Sequence, residues 1–537
     1  MNIVEILREQ SIGRPDAAAI MTATKGIARS ITFGELDEAS SRIAARLRSE
    51  GLTRGDALLV FYPMSIELYI VLLAIFRSGM TAMFLDPSAG REHIDQCCAL
   101  HPPKGLIASP KAHLLRFVSP GLRRIPHKFV IGPTIPGARS LRELRISRED
   151  AKTRMGTRDA DAEIAPAEDS TPALLTFTSG STGRPKAALR THGFLLAQHR
   201  VLRHSLGLTA GEQDLTTLPI FVLANLASGV ASLIPDADLR AVGAIDPAPV
   251  VAQILRDRPV STAASPAFLE RLADHCLAQA QHLPSLRKVF TGGAPVFPRL
   301  LDKLHAIAPT AEIVAVYGST EAEPIAEIPR SAIAEEDHAA MRNGGGLLTG
   351  KPVPEIEARV LRDRWGTPIA PCSREEFARQ WMETGAAGEI VVAGDHVLPG
   401  YLHGHGDEET KFRVAGRLWH RTGDAGYFDS AGRLWLLGRC AARVADDRGT
   451  LYPFAVECAA HYFEGLRRTA FLASDGRRLL IVERRDGSTA LDLEPLKGAL
   501  AWAQLDDVRV VKAIPVDKRH NAKIDYPRLR KLVKAIR

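Results

Sequence analysis

Cysteine is scarce, with six in 537 residues. Cys97 and Cys98 are adjacent, and Cys276, Cys372, Cys440 and Cys458 stand alone. None has zinc-ligand spacing, and a chain this long does not rest on a disulfide framework, so a reducing cytoplasm is the expected compartment. Met1–Gln10 carries charges among its apolar residues and lacks the apolar segment of a signal peptide. The most apolar stretch, Leu58–Phe76, is interrupted by Pro63, Ser65 and Glu67. It reads as a buried strand and helix, and no transmembrane segment is expected. Neither sign of charge dominates: 69 Lys and Arg face 62 Asp and Glu, a formal +7. That excess reads as dispersed, without a basic patch of interleaved aromatics, so nucleic acid is not an expected partner. A mild excess suits a protein that handles polyphosphate. Internal repeats and low-complexity segments are absent.

What is present fits a globular α/β protein. Hydrophobic residues make up 45% and charged residues 24%, close to the average for folded soluble domains. The length predicts more than one domain, since domains run to ~100–200 residues. Strand-like runs at Ala57–Tyr62 and Met80–Leu85 flank a helical pattern at Ile66–Phe76. Further strand signals fall at Thr171–Thr178, Val289–Gly292 and Ile313–Tyr317. Strands separated by helices predict a parallel sheet, with ligands at the strands' C-terminal ends. Residues 330–385 read as loop-rich, and β-texture resumes at Glu389–Ala393 and Arg433–Leu437. After Gly438-Arg439 a small module is expected: strand Leu479–Glu483, helix Glu494–Ala503, strand Val508–Ala513. The expected domains are 1–438 and 439–537.

Four segments carry chemistry. In the first, a strand runs into Thr178-Ser179-Gly180-Ser181-Thr182-Gly183 and then Lys186. Glycines let backbone N–H groups converge on an anion, hydroxyls add donors and the lysine adds charge. The Walker A spacing is absent, and a flexible Gly/Ser loop is the plain alternative. The second, Tyr317-Gly318-Ser319-Thr320-Glu321, offers an aromatic face for adenine, hydroxyls for phosphate and a carboxylate for Mg²⁺. The third is Arg421-Thr422-Gly423-Asp424 followed by Arg439, in which an Asp after a tight turn can take both ribose hydroxyls. The fourth is Lys523 in Asn521-Ala522-Lys523-Ile524. Singly, each has an ordinary reading as a turn or a surface lysine.

In this order, the four segments resemble the adenylate-forming superfamily of acyl-CoA synthetases, luciferases and peptide-synthetase adenylation domains. Thr32-Phe33-Gly34-Glu35-Leu36 and Gly292-Gly293-Ala294-Pro295 are similar to further segments of that family. The resemblance implies a large N-terminal α/β domain with a small mobile C-terminal α+β domain. It implies ATP and Mg²⁺ as cofactors and a small carboxylic acid as substrate. Thr178–Gly183 and Lys186 would hold the β- and γ-phosphates, and Gly292–Pro295 with Tyr317, Gly318 and Ser319 would hold the nucleotide. Thr320 and Glu321 would serve catalysis, Glu321 as metal ligand. Asp424 and Arg439 would take the ribose, and Lys523 would act in adenylation.

The pattern departs from thioester-forming members at three places, one of them the altered coenzyme A segment Ala445-Asp446-Asp447-Arg448-Gly449-Thr450. Val222 follows Phe221 where they carry a histidine, and Ala441 stands at the charged hinge position. Phe221, Val222 and Leu226 are candidate acyl-pocket residues. The departures count against coenzyme A as a further cofactor. The run from Pro515 to Ile524 resembles olefin-pathway β-lactone synthetases, whose substrate's own hydroxyl attacks the acyl-AMP. A β-lactone-forming ligase acting on a fatty or β-hydroxy acid is therefore favoured, with partner enzymes of a biosynthetic pathway. The alternatives are an acyl-CoA or acyl-AMP ligase and a non-catalytic nucleotide-binding protein.

Overall fold

The computed structural model describes residues 1–85, 90–141, 163–179, 185–485, 492–516 and 524–535, without the side chains of 178 and 179. The chain forms two compact units: Met1–Asp236 with Leu398–Asp407, and Ala237–Val397 with Glu408–Arg537. The expected domain boundary at 438/439 lies within the second unit.

The first unit is built on a parallel sheet. His127–Val130, Gly105–Ala108, Ala57–Phe61, Thr81–Phe84 and Pro172–Ser179 lie side by side in that order, all parallel. The crossover helix Ile66–Arg77 is apolar on nearly every side, and eleven of its residues are buried. A helix apolar all round belongs inside a core, which is why Leu58–Phe76 forms a buried strand and helix. Among the described residues no helix is long and apolar enough to cross a membrane. Helix Phe33–Ser49 begins with a capping box in which Thr32 and Glu35 satisfy each other's backbone N–H groups. The Thr32–Leu36 segment therefore has a local structural reason of its own.

The second unit changes sheet type part-way across. Ser261–Ala264, Lys288–Gly292 and Glu312–Ser319 are parallel, joined by helices Pro266–Ala278 and Pro298–Ile307. Glu312–Ser319 then turns back into Ala322–Pro329, and the sheet continues antiparallel through Leu347–Pro352, Leu434–Arg439 and Arg417–Phe428. The segment 330–385 is not only loop, since it holds helix Glu335–Arg342 and strands Leu347–Pro352 and Glu357–Leu361.

Beyond Arg439, strands Leu466–Ser474, Arg477–Arg484 and Asp507–Val511 form a small sheet covered by helices Pro453–Ala460 and Tyr526–Ala535. Arg478 is buried there and bonds both Asp446 oxygens, at 2.5 and 2.8 Å. The predicted helix 494–503 is shorter than expected. Glu494–Ala499 is α-helical, Leu500 leaves helical geometry at φ −97° and ψ 15°, and a 3-10 turn Ala501–Ala503 follows. Gly498 in the last turn is a poor helix former, and burying both Leu500 and Ala503 favours the break.

Gly350 sits where Leu347–Pro352 meets Ala322–Pro329. Its φ is +90°, and a Cβ there would stand 2.0 Å from the Glu327 carbonyl oxygen. Gly350→Ala should destabilise the protein by at least ~1–3 kcal/mol, since a left-handed non-glycine residue alone has that cost. Thermal denaturation measures the loss. A wild-type melting temperature would show that the two strands can separate without penalty.

Candidate active site

Strand Glu312–Ser319 delivers Tyr317, Gly318 and Ser319 to the edge of a cavity of about 400 Å³. Gly293, Ala294 and Pro295 line the same cavity, as do Asp424 and Arg439. Gly292 lies directly behind: a Cβ on it would come within 2.7 Å of the Val316 carbonyl oxygen, so only glycine lets the two strands approach.

Asp424 is the best-anchored group. The Tyr317 hydroxyl donates to its Oδ2 at 2.8 Å, and Arg439 Nε lies 3.2 Å from its Oδ1. Its backbone N–H donates to the Thr422 hydroxyl at 3.0 Å, and that hydroxyl donates to the Ile390 carbonyl at 2.9 Å. Arg439 Nη1 also donates to the Thr422 carbonyl at 3.0 Å. Burial holds the Tyr317 phenol protonated well above its usual range, and the Asp424 charge adds to that. Asp424 does not follow a tight turn. It sits within strand Arg417–Phe428, directly opposite Arg439 on the neighbouring strand. Gly423 has φ +70° and supplies a kink in place of a turn, with the Trp365 ring packed 2.9 Å from where its Cβ would be.

Arg421 faces away from the ligand groups. It is buried and bonds both oxygens of buried Glu389, at 2.9 and 2.6 Å, and the Thr367 carbonyl at 2.6 Å. Burial raises the Glu389 carboxyl, and the guanidinium pulls it back. Removing one member of such a pair strands a buried charge. Arg421 thus anchors the strand that carries Asp424.

Thr320 and Glu321 form the turn between Glu312–Ser319 and Ala322–Pro329, where the Glu321 N–H donates to Ser319 Oγ at 3.2 Å. The Glu321 charge reaches both Arg439 and buried His420. Burial and Lys411 nevertheless drive His420 down to about 3, so it is neutral at physiological pH. Among the described residues no three His, Cys, Asp or Glu side chains cluster as a metal cage. A single hard carboxylate beside a polyphosphate fits Mg²⁺, which keeps few protein ligands.

The remaining candidates belong to the first unit or lie outside the described residues. Lys186 pairs in register with Thr178, and its ammonium stands 5.8 Å from the Tyr401 ring centre. Gly180, Ser181, Thr182 and Gly183 lie outside the described residues, as do Lys523 and the side chains of Thr178 and Ser179. Phe221, Val222 and Leu226 occupy helix Pro219–Ala227, all buried.

The sequence did not reveal the cavity's far wall. Phe297 stacks on His461 with ring centres 3.7 Å apart and planes 17° apart. Glu457 lines the same wall and is fully buried, accepting from Phe471 N–H and the Tyr526 hydroxyl, each at 2.9 Å. Burial pushes Glu457 up to about 7 against those two donors. One local signal was available: Glu457 is a lone carboxylate in the apolar helix Pro453–Ala460.

The family model of the AMP-binding enzyme matches residues 7–402. The chain belongs to the AMP-binding enzyme family. It is an ATP-dependent, AMP-forming adenylating ligase. This family member is 32% identical to an olefin beta-lactone synthetase of Stenotrophomonas maltophilia, over 98% of this chain and 97% of that one. It is 31% identical to an olefin beta-lactone synthetase of Xanthomonas campestris pv. campestris, over 98% and 96%. Its fold matches the amide bond synthetase McbA of Marinactinospora thermotolerans, with a TM-score of 0.77 over 99% of each chain at 21% identity.

The raised Glu457 pKa has a definite sign for stability. The carboxyl binds its proton more tightly in the fold than in the unfolded chain. Its favourable contribution is full below about 4.5 and is lost as pH rises through about 7. Glu457→Gln keeps the shape and an oxygen acceptor without the charge. Relative to wild type it should gain roughly 3 kcal/mol between pH 4.5 and pH 8, because each tenfold difference in proton affinity is worth about 1.36 kcal/mol. Denaturant unfolding across that range measures the difference, and parallel pH profiles would refute the assignment.

Proposed function

We propose that this enzyme adenylates a long-chain β-hydroxy acid, and that the acid's own hydroxyl then closes a β-lactone. One observation carries the reading: the likeness to proteins named olefin beta-lactone synthetase runs the whole length of the chain. Val222, fully buried in its helix, and Ala441, a bare methyl in the 3-10 turn Cys440–Ala442, support it. Neither can supply the histidine or the charged hinge of thioester-forming relatives.

In the first step a carboxylate oxygen attacks the α-phosphorus and pyrophosphate leaves. Two anions must meet, so cations must offset their repulsion. Lys186 and the 178–183 loop would hold the β- and γ-phosphates, and Lys523 would stabilise the charge growing on the α-phosphate. Asp424 and Arg439 would hold the ribose, with Tyr317 and Gly292–Pro295 beside the adenine. Magnesium, when bound, would be held by Glu321 and the phosphates, and it offsets negative charge there. In the second step the β-oxygen attacks the acyl carbon, the bond to AMP breaks, and the hydroxyl proton leaves to solvent. The product is the acid minus one water. Phe221, Val222 and Leu226 would shape the acyl pocket, and coenzyme A has no part in this sequence.

Lys523→Ala should cut carboxylate-dependent exchange of pyrophosphate into ATP by ~10²–10³-fold, the usual worth of one preorganised charge. The far-ultraviolet circular dichroism should not change. An exchange rate near wild type would remove Lys523 from adenylation.

Mass spectrometry of a long-chain β-hydroxy acid incubated with ATP and Mg²⁺, without coenzyme A, tests the lactone step. The expected product has lost one water. The same acid lacking the hydroxyl should be adenylated and stall as acyl-AMP. Rapid turnover of that analogue only when coenzyme A is present would overturn the reading in favour of an acyl-CoA ligase.

A further inference from the structure

The charge read as dispersed along the chain is uneven, and one long segment lacks acidic residues altogether. Residues 101–141 hold Lys104, Lys111, Arg116, Arg123, Arg124, Lys128 and Arg139, and no Asp or Glu. These seven cations equal the chain's formal +7, so the remainder balances at 62 basic against 62 acidic residues. Arg139 pairs with Glu50. Among the described residues the other six make no ion pair with a carboxylate. Arg116, Arg123 and Lys128 donate to backbone carbonyls instead. Lys104, Lys111, Arg123 and Arg124 are exposed.

Apolar side chains protrude from the middle of this charge. Leu114 is 60% exposed, Phe117 73% and Val118 52%. They stand on and just after the 3-10 turn Leu114–Phe117, between helices Pro110–His113 and Pro120–Arg124. The Arg123 guanidinium lies across the end of that turn, donating to the Arg116 carbonyl at 3.3 Å and the Phe117 carbonyl at 3.1 Å. A permanent cation is therefore fixed at the backbone of the turn that carries the exposed Phe117. His113 is buried beneath the turn and bonds the Phe129 carbonyl at 2.9 Å, which ties the protrusion to the sheet.

We propose that this surface docks the protein on an anionic lipid membrane. An acidic protein or a nucleic acid would satisfy the cations but not a leucine, a phenylalanine and a valine held out in water. A bilayer interface satisfies both, because the apolar tip enters the acyl boundary while lysine and arginine stay at the anionic headgroups. The rest of the chain sums to zero formal charge. The inference does not depend on which acid the enzyme activates.

Co-sedimentation of the full chain with phosphatidylcholine vesicles, with and without phosphatidylglycerol, tests the proposal. Wild type should bind only the vesicles containing phosphatidylglycerol and should be released by salt, which screens exposed charges. Lys111→Glu with Arg124→Glu should weaken binding at least ~25-fold, at about fivefold per cation removed. Leu114→Asp with Phe117→Asp should also lose binding, with all the cations in place. All four positions are exposed, so both double variants should keep wild-type melting and pyrophosphate exchange. Absence of wild-type binding to the anionic vesicles at low salt would overturn the proposal. So would undiminished binding by either variant, or capture of duplex DNA or polyglutamate in preference to the vesicles.

Discussion

The candidate site depends on the fixed position of one carboxylate. Asp424 is held by Tyr317, Thr422 and Arg439, which come from three separate stretches of chain. Tyr317 ends a strand of the parallel half of the second unit's sheet, while Asp424 and Arg439 are paired in the antiparallel half. The carboxylate reaches its place only when both halves are in register. Each carboxylate oxygen has two lone pairs; the Tyr317 hydroxyl engages one on Oδ2, and Arg439 stands within ion-pair distance of Oδ1. A diol arriving at the remaining pairs meets an acceptor already oriented, which is the advantage of preorganisation.

The sequence exposed the framework of this site better than its fixing. Strands such as Ala57–Phe61 and Lys288–Gly292 were legible because each is a short run with apolar residues stopped by a turn former, Pro63 in one and Gly292-Gly293 in the other. Tyr317 and the Gly292–Pro295 loop were legible for the same reason, as strand ends of an α/β sheet. The setting of Asp424 was not, because a glycine before an aspartate signals a turn, whereas Gly423 only kinks a continuing strand. Arg421 had no assigned role, because its buried partner Glu389 lies on another strand with no local pattern linking them. The wall of Phe297, His461 and Glu457 was invisible for the same reason, since contacts between distant segments leave no periodicity.

Charge was the other quantity that averaging concealed. A small excess over 537 residues suggests an even surface. Counting acids as well as bases along the chain changes that picture, because the informative feature of residues 101–141 is the missing carboxylates. Several lysines and arginines elsewhere are matched, as in Lys303 between Glu270 and Asp274 or Arg433 between Asp337 and Asp429. Matched charges at a surface contribute little to stability and cancel in the far field. An unmatched set projects a potential over roughly a Debye length, ~8 Å at physiological salt.

The cavity wall bears on the fate of a reactive intermediate. An acyl adenylate is open to water, so an enzyme that makes one must exclude water until the intended nucleophile attacks. A thiol from outside needs its own entrance, whereas a hydroxyl on the same substrate needs only rotation about bonds within it, with an effective molarity up to ~10⁸ M. A closed apolar wall is then an advantage. Phe297 stacked on neutral His461 contributes an uncharged patch to the cavity lining, and burial drives that imidazole down to about 3. Glu457 beside it is pushed up to about 7 by burial, so it carries less negative charge near neutrality than an exposed carboxylate does. The cavity keeps charged groups of both signs in Asp424, Arg439, Glu270, Arg467 and Arg468.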